Sequence, residues 1–156
     1  MFRRSAPGPR RRSTRYARRL LAPAREFFQY PETAEPAYGI WLTGLEHRVL
    51  DNDLAASSAL THGVVFIDAF NAARSIISGN RITDSFANKV SEGIRVNGWS
   101  PGGDLHSEDV LVTGNQISGV QKGVSFLFHI PGKYRDNITS AVAEPYFGGT
   151  DAGNNN

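Results

Sequence analysis

Short runs of alternating apolar and polar residues, each opened by a glycine, dominate the chain from about residue 39 onward. Alternation with a period of two residues predicts β-strands that bury one face. The four clearest runs are Gly39-Ile40-Trp41-Leu42, Gly63-Val64-Val65-Phe66, Gly93-Ile94-Arg95-Val96 and Gly123-Val124-Ser125-Phe126. Their glycines are 24, 30 and 30 residues apart, which indicates a repeating structural unit.

A second short strand that contains an asparagine turn follows each of the first three runs. These segments are Val49-Leu50-Asp51-Asn52-Asp53-Leu54, Ile77-Ser78-Gly79-Asn80-Arg81-Ile82 and Val112-Thr113-Gly114-Asn115-Gln116-Ile117. Asparagine suits such a turn because it tolerates the left-handed conformation and because stacked amides can bond from one unit to the next. Residues 153–156 resemble a fourth turn of this kind, and we expect the domain to be truncated there.

Two strands per unit, repeated about every 30 residues, predict an all-β solenoid: a parallel β-helix of about four coils. A single coil cannot bury its apolar face alone, so stacking would join the strands into parallel sheets around an apolar interior. The competing prediction is a small β-sandwich, whose strands would also alternate. A sandwich does not predict a glycine-led strand and an asparagine turn in fixed order, so we favour the solenoid.

Aligning the four glycines predicts which residues stand next to one another on the outer surface. Two positions after each glycine this alignment places Trp41, Val65, Arg95 and Ser125; four positions after, it places Thr43, Ile67, Asn97 and Leu127. Asp68 would follow beside the end of the same sheet. Val65, Ile67 and Leu127 would then be outward apolar residues, which suggests that a partner, a loop or missing coils cover this face.

The charge of the chain divides it into two parts. Nine of its 17 basic residues are arginines within the first 25 positions, and no acidic residue precedes Glu26. Residues from 26 onward carry 8 basic and 15 acidic side chains, a net charge of −7 behind the overall +2. We therefore divide the chain into a basic leader (1–36), disordered or partly helical, and a β-helix domain (37–156). Without cysteine there is no disulfide and no thiolate metal site.

The leader gives little information on compartment or partners. Its arginines are numerous enough to hold phosphate or anionic lipid by charge, and an acid-free start is typical of organelle targeting. We favour a solvated tail, or a start codon placed too early, over nucleic-acid binding and over targeting. The sequence has no recognisable secretory signal and no run of 18 apolar residues that would predict a transmembrane helix.

The repeat resembles that of the right-handed parallel β-helices of the pectin-lyase-like superfamily, over about three-quarters of the chain. That superfamily includes polysaccharide lyases, polygalacturonases, uronan epimerases and phage tailspikes. The resemblance implies an extracellular or cell-surface protein that binds or processes an acidic polysaccharide. It also implies end caps for the solenoid, so we expect missing coils or a homo-oligomer to cover the ends.

Two stretches are similar to polygalacturonase motifs. The segment Thr61-His62-Gly63-Val64-Val65-Phe66 is similar to a Gly-His-Gly before an apolar strand. The segment 92–103 is similar to an Arg-Ile-Lys followed by a Trp and a glycine-rich loop. Thr61 replaces the first glycine and Asn97 replaces the lysine, and no pair of carboxylates stands near residues 36–39. Inverting hydrolysis needs such a pair, so the resemblance implies sugar binding without that reaction.

β-Elimination is a separate hypothesis, because it needs a base and a cation that neutralises the enolate. The candidate catalytic residues are Arg95, Asp68, Asp104 and His106, and the candidate sugar-binding residues are His62, Asn97, Trp41 and Trp99. Arg95 would contact the substrate carboxylate, or else pair with a neighbouring acid such as Glu92. Asp104 and His106 would form an acid–base pair or cap turns, and an outward Trp41 would hold a sugar ring.

A lyase would also use Ca²⁺, for which Asp68 and Asp104 are candidate ligands. The alternative function is a non-enzymatic structural or glycan-adhesion β-helix of the tailspike or surface-repeat kind, favoured by the missing carboxylate pair and the small number of coils. The segment Asn137-Ile138-Thr139 matches a glycosylation sequon, which matters only if a eukaryote secretes the protein.

Overall fold

The computed structural model describes residues 37–56, 63–86, 90–98 and 107–156. These residues form fourteen β-strands and no helix, so none of them lies in a helix that could span a membrane. The strands are β1 (Ala37–Leu45), β2 (Arg48–Leu50), β3 (Asp53–Ala55), β4 (Val64–Ala73), β5 (Ile76–Ser78), β6 (Arg81–Thr83), β7 (Ser91–Asn97), β8 (Val110–Thr113), β9 (Gln116–Ser118), β10 (Lys122–Phe126), β11 (Gly132–Arg135), β12 (Ile138–Ser140), β13 (Glu144–Phe147) and β14 (Thr150–Asp151).

The strands form three parallel sheets. The first sheet has the order β1-β4-β7-β10-β13, the second β2-β5-β8-β11-β14 and the third β3-β6-β9-β12. Each set of three consecutive strands, which we call a layer, therefore gives one strand to each sheet. All the pairings are parallel, as the sequence predicted. The prediction of two strands per unit was wrong, because the asparagine turn divides the second segment into two strands.

The core lies between the three sheets and consists of stacked apolar side chains. In the first sheet Ile40, Ile67, Ile94 and Val124 are in register, and the last three are fully buried. Val49, Ile77, Val112 and Tyr134 form the equivalent column in the second sheet, and Leu54, Ile82 and Ile117 form it in the third. Full burial of such a side chain stabilises the fold by about 1.5–3 kcal/mol, so these columns hold the layers together.

The register of β4 differs from the one that the glycine alignment predicted. Asp68, rather than Val65, pairs with Trp41 on one side and Arg95 on the other. The strict alternation fails here because Phe66 and Ile67 are consecutive and both belong to the core. The expectation that Ile67 is an outward residue was wrong, because Ile67 belongs to the core and is fully buried. Val65 lies outside that core but is only 2% exposed, and Leu127 is half-buried.

A ladder of five asparagines runs along one turn of every layer: Asn52, Asn80, Asn115, Asn137 and Asn155. The Oδ1 atom of each later asparagine accepts the backbone N–H of the preceding one at 2.9–3.1 Å. It also accepts the side-chain amide of that residue at 2.8–3.2 Å. The amides of Asn80, Asn115 and Asn137 donate in addition to the backbone carbonyls of Val49, Ile77 and Val112. The predicted bonding from unit to unit is thus confirmed.

Two details of the ladder correct the sequence prediction. The left-handed conformation belongs to the residue before each asparagine, as at Asp51 (φ 57°), Gly79 (φ 67°) and Asp136 (φ 54°). Asn137 is a member of the ladder, is fully buried and donates its amide to Val112 and Asn155. A buried amide engaged in this way cannot accept a glycan in the folded protein, so the sequon is structural.

We predict that Asn115→Ala destabilises the protein by about 3 kcal/mol, measured by urea unfolding, because it leaves two buried backbone groups without partners at about 1–3 kcal/mol each. These groups are the N–H of Asn80 and the carbonyl of Ile77. The matched control is Asn52→Ala at the end of the ladder, which is only half-buried and donates to Leu50 and Asn80. We expect that variant to lose about 1 kcal/mol. Equal losses from the two variants would contradict the larger cost of removing a buried member of the ladder.

Candidate functional site

The candidate site lies on the outer face of the first sheet, where one register column runs from β1 to β13. The column contains Trp41, Asp68, Arg95, Ser125 and Phe147. Neighbouring members are about 4.8 Å apart at the backbone, because that is the spacing of paired strands. Trp41 is 58% exposed, whereas Asp68 beside it is 1% exposed. An exposed indole therefore adjoins a buried carboxylate.

Asp68 and Arg95 form a two-point ion pair. The Nε atom of Arg95 donates to Oδ1 of Asp68 at 3.2 Å, and its Nη2 atom donates to Oδ2 at 3.1 Å. The amide of Asn97, at the end of β7, also donates to Oδ1 at 2.9 Å. Planar guanidinium and carboxylate groups favour this bidentate geometry, which fixes the direction of both side chains. Three donors from β7 therefore hold a carboxylate that belongs to β4.

Burial and pairing act in opposite directions on the two ionisable groups. Burial raises the pKa of Asp68, and the hydrogen bonds and charge of Arg95 offset only part of that effect. For Arg95, burial acts to lower the pKa, but the hydrogen bonds and charge of Asp68, with the charges of Glu92 and Tyr38, raise it overall. Arg95 therefore remains a cation. Ionisation of Asp68 in its buried position costs free energy, and the interaction with Arg95 offsets only part of that cost.

Three aromatic side chains surround the ion pair. The rings of Tyr38 and Trp41 stack with centroids 6.4 Å apart, and Trp41 lies 6.3 Å from Phe70 at a tilt of 44°. The hydroxyl of Tyr38 accepts a hydrogen bond from Nη2 of Arg95 at 3.3 Å, and the guanidinium carbon lies 5.6 Å from the centre of that ring. Together Tyr38, Trp41, Phe70, Asp68 and Asn97 line an open pocket of about 350 Å³.

The structure brings four of the eight predicted site residues together: Trp41, Asp68, Arg95 and Asn97. His62, Trp99, Asp104 and His106 lie outside the described residues, so their predicted roles stay predictions. Asp68 lies within β4, not beside the end of the sheet as expected. Arg95 pairs with a neighbouring acid, as one alternative predicted, but that acid is Asp68 and not Glu92. The misplaced register of β4 explains both errors, because it separated Asp68 from its partner.

Sequence reasoning missed Tyr38 and Phe70. Tyr38 precedes Trp41 on β1, and Phe70 follows Asp68 by two residues on β4, so that Phe70 and Asp68 project from the same face. With the correct register of β4, the sequence would have placed both aromatic residues close to Trp41, the predicted sugar-binding residue. The hydrogen bond from Arg95 to Tyr38 spans 57 positions and carries no local sequence pattern.

The carboxylate of Asp68 is poorly suited to bind calcium or to transfer a proton. Both of its oxygens already accept hydrogen bonds from Arg95 or Asn97, and the residue is almost fully buried. Among the described residues there is no group of three or more His, Asp or Glu side chains arranged to hold a metal ion. A calcium ligand set therefore does not fit the described part of this site.

The arrangement is suited to binding. The Nε and Nη2 atoms of Arg95 contact Asp68 and Tyr38, whereas its Nη1 atom forms no hydrogen bond with a described residue. An aromatic ring packs against the C–H face of a sugar, and a fixed guanidinium can bind a carboxylate at its remaining donors. The pocket thus presents an apolar platform beside a positioned cation.

We predict that the stability of Asp68→Asn relative to the unmodified protein rises with pH. Because burial raises the pKa of Asp68 above 3.8, its contribution to stability is present at low pH and is lost as the pH rises through the folded-state value. Urea unfolding of both proteins from about pH 3 upward measures the difference.

Asp136→Asn is the matched control, because the hydrogen bond from Arg135 lowers the pKa of Asp136 and reverses the sign. The relative stability of that variant should fall as the pH rises, since the carboxylate it lacks stabilises the protein above pH 3.8. A slope of the same sign for both variants would show that pairing, and not burial, dominates at Asp68.

Comparison with known proteins yields no relative: no protein-family model, curated protein or solved structure matches this chain. The assignment of a function therefore depends on the geometry of the residues themselves.

Proposed function

We propose that the chain is a right-handed parallel β-helix of the pectin-lyase-like kind, and that it binds an acidic polysaccharide on the outer face of its first sheet. The β-helix is supported by the order in which consecutive strands join the three sheets and by the asparagine ladder. Connections between parallel strands of one sheet are right-handed in nearly all proteins, which supports the handedness. On this proposal the strands make four full coils and the first two strands of a fifth.

The observation that carries the proposed function is the exposed ring of Trp41 on the pocket beside Arg95. Contiguous exposed apolar surface often marks a binding site, and the ring of Trp41, which is 58% exposed, adjoins two further aromatic rings. Tyr38 and Phe70 extend the surface over which one sugar ring could pack. The Nη1 donors of Arg95 supply the polar contact that would select a sugar bearing a carboxylate.

Binding is a better proposal than catalysis, because the described acid and cation are committed to each other. Inverting hydrolysis needs one carboxylic acid and a second carboxylate that activates water. Asp68 is the only carboxylate among the described residues that line the pocket, and its oxygens are engaged. Elimination needs a base that reaches the substrate, and both oxygens of Asp68, the one carboxylate among the described lining residues, already accept hydrogen bonds. Processing remains a second candidate through Asp104 and His106, which lie outside the described residues.

We predict that Trp41→Ala weakens the binding of galacturonate oligomers about tenfold, a loss of ~1.4 kcal/mol that is typical of an aromatic platform. Isothermal titration calorimetry of the full chain measures the affinity. The matched control is Leu45→Ala, which removes an equally exposed apolar side chain (57%) from the same strand but outside the pocket. Equal effects of the two variants would indicate general adhesion to the strand and would contradict the proposed site.

A second measurement distinguishes binding from processing. We expect prolonged incubation with galacturonate oligomers, with and without Ca²⁺, to yield no product by mass spectrometry. Product masses that together exceed the substrate by one water would reveal hydrolysis, and masses without added water would reveal elimination. Either product would overturn the assignment as a binding module. Failure of the unmodified protein to bind any oligomer would favour a purely structural β-helix.

A further inference from the structure

A second pocket of about 490 Å³ lies at the opposite edge of the first sheet. It opens between the turn that follows β10 and the turn that follows β13. Its lining residues are Phe126, Phe128, His129, Ile130, Pro131, Phe147, Gly148, Gly149 and Thr150. Phe128 is 71% exposed and Phe147 is 45% exposed, so two aromatic rings again border an open cavity.

The turn after β10 has an unfavourable backbone conformation and exposes the side chain of Phe128. The N–H of Ile130 donates to the carbonyl of Leu127 at 3.1 Å, which closes a four-residue turn. Its two central residues, Phe128 and His129, have φ angles of 55° and 56°. Turns with two positive φ angles strongly favour Asn-Gly, because side chains with a bulky Cβ substituent strain this conformation. Strain of this kind tends to occur at functional sites.

The opposite turn leaves the pocket floor free of side chains. Gly148 and Gly149 also have positive φ angles, of 64° and 66°. A Cβ atom on Gly148 would overlap the carbonyl oxygen of Phe126, and one on Gly149 would lie 2.7 Å from the ring of Phe126. Only glycine permits this turn to pack on Phe126, and the missing side chains keep the cavity open.

The chemistry around this pocket resembles that of the first site. Phe128 and Phe147 supply aromatic faces, and His129 and Thr150 supply polar groups. The ammonium group of Lys122 lies 5.8 Å from the centre of the Phe147 ring, within the range of a cation–π interaction. Lys122 is in register with Glu92 on β7 and with Glu144 on β13. Aromatic rings with a neighbouring ammonium group suit a sugar that carries a carboxylate.

The two pockets adjoin opposite ends of one column of the first sheet, since Trp41 lines the first pocket and Phe147 lines the second. Phe147 is in register with Ser125, which continues through Arg95 and Asp68 to Trp41. Four strand spacings separate the column ends, a distance of about 19 Å. We infer that the second pocket binds another sugar unit of the same acidic polysaccharide, so that one extended chain lies across five strands. This inference rests on the proposed function of the first pocket.

The test is the dependence of affinity on oligomer length, measured by calorimetry with galacturonate oligomers. For the unmodified protein, affinity should increase about tenfold or more once an oligomer can reach both pockets, because the second contact then becomes intramolecular. The double variant Phe128→Asn/His129→Gly should remove that increase while leaving the binding of short oligomers unchanged. The same variant should raise the midpoint of thermal unfolding, since it installs the favoured turn residues. Lost affinity could then not be attributed to unfolding.

The matched control is Ile138→Ala, which removes a 51% exposed apolar side chain from β12 in the third sheet and should leave the length dependence intact. A methyl-esterified oligomer of the same length should bind more weakly than the acid, and equal binding would overturn the selection of carboxylates by Arg95 and Lys122 together. An unchanged length dependence in the turn variant would overturn the second pocket but not the first. Failure of the unmodified protein to bind oligomers of any length would overturn the proposed function, and this inference with it.

Discussion

The buried asparagine ladder is the interaction on which the other features of this structure depend. A parallel sheet alone does not fix where one layer turns into the next, because any register that buries apolar residues satisfies the core. The ladder fixes that position by pairing the backbone N–H of one turn with the side chain of the following turn. An unpaired amide in the interior would cost about 1–3 kcal/mol, so a slipped layer would be penalised at each step. The apolar columns of the three sheets then stack in the register that the ladder sets.

The same register assembles the candidate site from distant parts of the chain. Asp68 and Arg95 are 27 positions apart, yet they occupy neighbouring strands and meet with two hydrogen bonds. An ion pair with little access to water loses solvation, and burial here disfavours the charged form of both side chains. The guanidinium is held by Asp68, Tyr38 and the field of Glu92, so it is oriented before any ligand arrives. A preorganised cation loses less entropy when it binds an anion than a flexible surface lysine does.

Much of the fold could be predicted from the sequence, because alternation and recurring asparagine turns are local patterns. The parallel sheets follow from these patterns, and three of the ladder residues, Asn52, Asn80 and Asn115, were identified from them. The fourth turn predicted at residues 153–156 contains another, Asn155. Asn137 was missed because the ladder separations are 28, 35, 22 and 18 residues, which no fixed period matches. The site was predicted less well for a related reason. The assignment of Gly63 as the equivalent of Gly39 displaced β4, and only tertiary packing reveals that Phe66 occupies that position.

The uneven spacing of the ladder asparagines along the sequence shows that the connections between strands can change in length during evolution. The ladder joins every layer at the same turn, while the lengths of the other connections differ from one layer to the next. A segment inserted between β7 and β8, for example, does not alter the pairing of Asn80 with Asn115. Surface loops can therefore lengthen, shorten or be exchanged while the interior keeps its alignment. In this architecture the ladder and core residues fix the alignment of the layers, whereas other residues form the surface connections. The connections can therefore vary without disturbing the interior.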